Sequence, residues 1–154
     1  SGPEKNVLKR YYLAAKNFGC DHIVRITSDC PLLDPILLDK MITQYKKKQI
    51  DYLSNVNPPT FPDGMDIEIF PVKTLNKTYE LVKKQYDKEH VTSFMRQYKY
   101  FKSKNYYNNK DLSKTRITLD TKNDLKKIIF VIKNFYPRIN YSLNEIIKLL
   151  KEKN

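Results

Sequence analysis

Several things are scarce in this chain, and each scarcity excludes something. There are two cysteines, Cys20 and Cys30, too few for a disulfide framework and without the Cys-x-x-Cys or Cys/His spacing of a zinc site. No basic-then-apolar leader precedes them, so free thiols in a reducing cytoplasm are the expectation. No apolar run approaches the ~20 residues of a membrane span, and no membrane partner is expected. The start, Ser1-Gly2, lacks a methionine, as a processed or shortened chain does. Arginine is confined to Arg10, Arg25, Arg96, Arg116 and Arg138, although Lys and Arg together outnumber Asp and Glu by 29 to 17. The resulting net charge of +12 would suit nucleic acid. The lysines are spread along the chain, however, and abundant Lys, Asn, Ile and Tyr are what AT-rich codons favour. Nucleic acid is therefore not the expected partner; a field that draws in small anionic substrates is.

What is present reads as a single α/β domain over residues 1–154, long enough for its own core. Glu4 to Phe18 places Val7, Leu8, Tyr11, Tyr12 and Ala15 at helical spacing, and Gly19 stands where a helix stops. His22 to Thr27 reads as a strand. Asp34 as N-cap and Pro35 as first helical residue open a helix to about Lys48. Tyr52 to Asn55 is a short strand before the turn-rich run Asn57-Pro58-Pro59-Thr60-Phe61-Pro62-Asp63-Gly64. Asp66 to Phe70 alternates like a half-buried strand, with Ile67 and Ile69 inward and Pro71 closing it. Helices are expected over Val72 to Lys84 and Lys88 to Tyr98, separated by Gln85-Tyr86-Asp87. Residues 101–114 are poorly patterned, with room for one irregular strand. Ile117 to Leu119 reads as the last strand, Asn123 to Phe135 as a helix, and Ser142 as the cap of a final helix to Lys151. Alternating strands and helices predict a largely parallel sheet with helices on its faces.

Two stretches carry the chemistry. In Val24-Arg25-Ile26-Thr27-Ser28-Asp29-Cys30-Pro31 and again in Arg116-Ile117-Thr118-Leu119-Asp120, an apolar, β-branched segment runs into an aspartate and a helical segment follows. Open α/β folds place ligands at such strand ends. Two carboxylates there can share a Mg²⁺ that takes its other ligands from water and phosphate, so a Mg²⁺-dependent, phosphate-handling site is predicted.

These blocks, taken in order, resemble the cytidylyltransferases that activate sugar acids and related sugars, the CMP-Kdo and CMP-sialate synthetase relatives, and above all the spore-coat polysaccharide biosynthesis type. Asn6 to Tyr12 is similar to that family's helix before the central strand, and Arg25 to Pro35 to its metal-binding turn. Pro62-Asp63-Gly64-Met65-Asp66-Ile67-Glu68 is similar to its sugar-side loop, and Lys88-Glu89-His90-Val91-Thr92 and Arg116 to Thr121 complete the set. The resemblance implies a Rossmann-like nucleotide-diphospho-sugar transferase (GT-A-like), a three-layer sandwich with a mostly parallel sheet. It implies transfer of a cytidylyl group from CTP to a sugar or sugar acid, with release of pyrophosphate, for surface polysaccharide biosynthesis. The family opens with a strand and a basic, Pro-containing loop that cradles the CTP phosphates. Nothing here matches that loop, so the N-terminal nucleotide-binding part is expected to be missing and this chain to be inactive alone. Ser28 stands for the usual Gly, Lys88 for Arg, and Lys122-Asn123 for Pro-Glu. Of these, Ser28 threatens to crowd a turn that needs positive φ.

By the same resemblance Asp29 and Asp120 are the catalytic, metal-binding pair. The plainer alternatives are a turn aspartate capping Leu32 or Leu33, and an N-cap for the helix near Asn123. Asp124 suits the helix dipole. Asp66 and Glu68 share a strand face and border the sugar pocket, or else lie on a solvated face. Asp63-Gly64 is a turn that approaches the ligand or merely a turn. His90 is placed near the sugar, or is an ordinary hydrogen-bonded histidine. Arg25 touches substrate or pairs with a carboxylate in the sheet. Two rival readings stand beside the enzyme. In one, Tyr98, Tyr100, Phe101, Tyr106 and Tyr107 among lysines form a stacking platform for nucleic acid or polysaccharide. In the other, an open sheet edge pairs with a second copy to give a homodimer.

Overall fold

Helix ends are set by side chains close by in sequence. The computed structural model describes residues 2–97 and 99–152. Asn6 accepts from Lys9 N at 2.9 Å to open α1, Val7–Phe18, and Gly19 ends it in the left-handed region at φ 62. Asp34 caps α2, Pro35–Lys46, accepting from Ile36 N at 2.8 Å and Leu37 N at 3.2 Å. Its second oxygen accepts from Leu143 N at 2.8 Å, tying α2 to the last helix, α7, Leu143–Glu152. Between them lie α3, Val72–Leu81, α4, Gln85–His90, α5, Ser93–Gln97, and α6, Lys122–Phe135. The segment expected to separate a pair of helices is thus itself α4, and the break falls at Val91 instead. Tyr98, where the second of those helices was expected to end, lies outside the described residues.

The strands are β1, His22–Arg25, β2, Tyr52–Ser54, β3, Glu68–Pro71, and β4, Ser103–Asn105, in the order β1-β3-β2-β4. β3 runs antiparallel to both β1 and β2, and only β2 and β4 pair in parallel. The expected mostly parallel sheet is therefore corrected to a mixed one. A parallel neighbour needs a crossover, usually a helix; residues 55–67 form none, so the chain turns back and β3 inserts beside β2 in the opposite sense. Ile117 to Leu119 joins no strand either. Asp63 and Arg116 form an isolated parallel bridge, and Leu119 N donates to the Asp29 carbonyl at 2.9 Å.

Two apolar cores lie on opposite faces of this sheet, which makes the sandwich three layers. Leu53, Ile67 and Ile69 meet Leu37, Met41, Ile128, Val131 and Ile146 from α2, α6 and α7 on one side. Tyr52 and Phe70 meet Leu8, Leu75, Phe94 and Met95 from α1, α3 and α5 on the other. Every residue of β3 is buried, so it is a strand covered on both faces rather than half-buried. Of the aromatic residues proposed as a stacking platform, Tyr100 and Tyr107 are exposed, Phe101 and Tyr106 are half-buried, and Tyr98 lies outside the described residues. Tyr100 and Phe101 pack on Phe94, and Tyr106 packs on Phe61. Among the described residues no helix is long and apolar enough to cross a membrane.

Candidate active site

The two acidic turns meet. Asp29 follows β1 in a turn closed by Cys30 N to Thr27 O at 3.2 Å and Leu33 N to Cys30 O at 3.3 Å, without help from its carboxylate. Gly64 is the only positive-φ residue of this region; Ser28 is not one, so serine fits the turn. Cys30 Sγ lies 3.2 Å from Thr27 Oγ1 and 3.7 Å from Asp29 Oδ1, and burial pushes its thiol up. Asp120 is exposed and does not cap α6. Thr121 does, in a reciprocal box with Asp124, which accepts from Thr121 N at 2.9 Å. With that work done by its neighbours, the Asp120 carboxylate is held only by Arg116 among the described residues.

The Asp63-Gly64 turn is docked on the segment before Asp120. Asp63 N donates to Thr115 O at 3.0 Å, Ile117 N donates to Asp63 O at 2.8 Å, and Arg116 reaches Asp63 Oδ2 at 2.8 Å. Gly64, at φ 107, leaves room for the Ile117–Thr118 peptide. The close approach this glycine allows is to the protein's own backbone.

Asp66 and Glu68 diverge here. Glu68 is 2% exposed and its carboxylate accepts from Arg25, its partner across the β1–β3 ladder, and from the Tyr52 hydroxyl. Burial opposes the Arg25 charge, but Glu68 with Tyr11 and Tyr52 together outweigh it, and the guanidinium is held more firmly protonated; burial and Glu68 likewise push the Tyr52 phenol well up. Breaking such a buried pair costs about 3–5 kcal/mol, so Glu68 and Arg25 are firmly held by each other. Asp66 sits at the mouth of the strand without an ion pair among the described residues. Burial, then Asp63, Glu68 and Asp29, push its carboxyl up to about 6, against the opposing pull of Arg96. Arg96 and Tyr52 are members of this cluster that no motif marks.

His90 is exposed on α4, its ring 4.2 Å from that of Tyr86. No contact brings it to the acidic turns among the described residues. The unusual backbone lies just after it. Val91, fully buried, has φ 59 and ψ −60, and Thr92 N donates to His90 O at 2.6 Å. That is a positive-φ γ-turn, a rare and strained conformation, on a β-branched residue, at a cost of about 1–3 kcal/mol.

The hard oxygen donors of Asp29 and Asp120 suit Mg²⁺. Among the described residues no group of three or more His, Cys, Asp and Glu side chains forms a complete metal cage. An ion that keeps its waters and shares substrate phosphates does not need one.

The sequence profile of the cytidylyltransferase family matches residues 1–152. This chain belongs to that family. The chain is 35% identical, over 97% of its length, to an uncharacterized protein of Methanocaldococcus jannaschii. It is 28% identical, again over 97% of its length, to the spore coat polysaccharide biosynthesis protein SpsF of Bacillus subtilis. Its fold is that of a solved cytidylyltransferase from Leptospira borgpetersenii, with a TM-score of 0.94, 35% identity and 99% of this chain covered. The chain spans 61% and 62% of the length of the two curated relatives and 65% of the solved one. The family match runs through the whole described chain and does not bear out an absent nucleotide-binding part.

Proposed function

We propose that the protein containing this chain is a nucleotidyltransferase that joins a sugar or sugar acid to the cytidylyl group of CTP, for the biosynthesis of a surface polysaccharide. The family match over residues 1–152 carries the reading. The likeness to a polysaccharide biosynthesis protein supports the sugar side. An acceptor oxygen bonds to the α-phosphorus of CTP, the bond from that phosphorus to the bridging oxygen breaks, pyrophosphate leaves, and the acceptor proton passes to water. Asp66, just before β3 and in no ion pair among the described residues, accepts a hydrogen bond from an acceptor hydroxyl. Asp29 and Asp120 would hold a Mg²⁺, which supplies neutralisation of the phosphate charge. The Arg116 guanidinium keeps Asp120 pointed at the turn until then. Two free thiols fit a cytoplasmic enzyme.

The test is pyrophosphate release from CTP with Mg²⁺ and a panel of sugar acids, run on this chain and on the full-length gene product. Asp29→Ala is expected to lower kcat by about 100-fold or more in whichever form is active. Turnover by the full-length product that Asp29→Ala leaves intact would remove Asp29 from the site.

A further inference from the structure

The sheet has a second end. β3 runs antiparallel to β1 and β2, and β4 runs parallel to β2. The starts of β1, β2 and β4 therefore lie with the finish of β3, away from Asp29, which follows the finish of β1. A cavity of about 600 Å³ opens there. His22 lines it from the start of β1, Lys46 and Lys48 from the end of α2 and just past it, Lys73 from the first turn of α3, and Lys102 from just before β4. Among the described residues of its wall, Asp51 is the only carboxylate.

Contacts across these elements hold the wall together. Asp51 N donates to Lys102 O at 3.0 Å, and Lys102 N donates to Asp51 Oδ2 at 3.1 Å, which closes the entry to β2 and β4. The other Asp51 oxygen lies 3.5 Å from Lys73 Nζ. Lys48 N donates to Tyr45 O at 3.1 Å and Ile50 N to Lys48 O at 3.0 Å, so the chain turns tightly as it leaves α2. On the β1 side the Tyr45 hydroxyl lies 3.0 Å from His22 Nδ1, and the two rings meet edge to face. Tyr45 and Ile50 are themselves buried, so the cationic side chains surround an apolar floor.

Lysine is common in this chain, and a lysine on a helix surface needs no ligand. Here the ammonium groups come from three segments far apart in sequence and share one cavity with a single carboxylate. Lys46, Lys48 and Lys102 form no side-chain ion pair among the described residues, and Asp51 is taken up by Lys73 and the Lys102 backbone. Like charges gathered in this way repel one another until an anion enters.

We propose that this cavity binds a condensed phosphate, either free or as the phosphate tail of a nucleotide. The two sources share their chemistry. An ammonium is a compact point charge, not a planar fork, and several of them suit the many oxygens of a condensed phosphate better than a lone carboxylate. The volume is that of a small-molecule site. The assignment stands apart from the acidic turns and does not depend on the nucleotidyl-transfer reading.

The experiment is amide shift mapping by NMR on the full-length protein in magnesium-free buffer, with pyrophosphate, tripolyphosphate, CTP and sulfate as probes. The condensed phosphates are expected to shift the amides of residues 46–51 and 102 saturably, and to bind at least about 10-fold tighter than sulfate. Tripolyphosphate binding as tightly as CTP, or more tightly, identifies the free form; tighter binding of CTP identifies the nucleotide. Lys48→Gln with Lys102→Gln should weaken binding by about 10- to 100-fold, and Lys46→Gln with Lys73→Gln should act the same way. Lys133→Gln with Lys151→Gln removes the same charge from α6 and α7, outside the cavity, and should leave affinity nearly unchanged. Sulfate bound as well as pyrophosphate, no saturable shift at these amides, or equal weakening by the cavity and control pairs overturns the proposal. Pyrophosphate release is scored separately. Binding here without release from any sugar counts against the nucleotidyl-transfer reading and leaves the cavity's assignment standing.

Discussion

At Gly64 a Cβ would lie 2.8 Å from the Ile117 carbonyl carbon and 2.9 Å from the Thr118 nitrogen, on a backbone at φ 107. Neither neighbour is the end of a flexible side chain, so the two segments must move apart to admit one. Gly64→Ala is expected to destabilise by about 1–3 kcal/mol, seen as a lower urea midpoint at unchanged slope. The same movement carries Asp120 away from Asp29, so kcat should fall more than the loss of folded protein accounts for. Residues of this kind are legible in sequence, since Asp-Gly in a turn has a local cause. Asp29 and Asp120 are legible as well, each being an aspartate after an apolar run. Arg96 and Tyr52 are not. Tyr52 reaches Glu68 because β2 pairs with β3, and Arg96 sits on α5, whose Phe94 and Met95 share a core with Tyr52; nothing within a few residues of Arg96 signals this.

At the scale of the element, local chemistry decides the ends of helices. Thr121 and Asp124 bond reciprocally at the start of α6, and Thr121→Ala is expected to cost about 1 kcal/mol, measured by denaturant unfolding. Asp120 should keep its place in that variant, because the box and not Asp120 caps the helix. Asp34, Pro35, Gly19 and Ser142 announce their helix ends in the sequence for the same reason. Sheet direction is another matter. Alternation of strands and helices predicts parallel pairing only where a helix joins successive strands, and the stretch from β2 to β3 has none. The residues stating this are visible in the sequence as Asn57-Pro58-Pro59, a loop too rich in proline for a helix. Ile117 to Leu119 has strand composition, yet its backbone groups go to the Asp63 turn and to Asp29. Composition reports a preference for extended backbone; it does not name the partner.

At the scale of the whole molecule, linkage between charge and folding gives a pH dependence with two signs. The Asp66 carboxyl is raised from 3.8 to about 6, so its contribution is fully present below 3.8 and is lost as pH rises through 6. Glu145, held down to about 2 by Ser142 and Arg138, contributes above 4.5, and that is lost as pH falls toward 2. In metal-free buffer, Asp66→Asn is expected to remove a decline in melting temperature between pH 4 and 6 while leaving the acid limb unchanged. A decline of equal size in both proteins would exclude Asp66 as its source.

β1 is an outermost strand of the sheet, and Phe18, Val24 and Ile26 stand exposed beside it at 86%, 41% and 36%. Such a border invites other β-structure. Long-range repulsion between copies of this chain, each of charge +12, opposes such pairing. The screening length shrinks from about 10 Å in 0.1 M salt to about 3 Å in 1 M. Salt should therefore act on this protein as it does on a charged colloid, with the second virial coefficient falling from positive toward negative as salt is added. Val24→Lys should delay that change of sign, because it places the repulsion on the border itself.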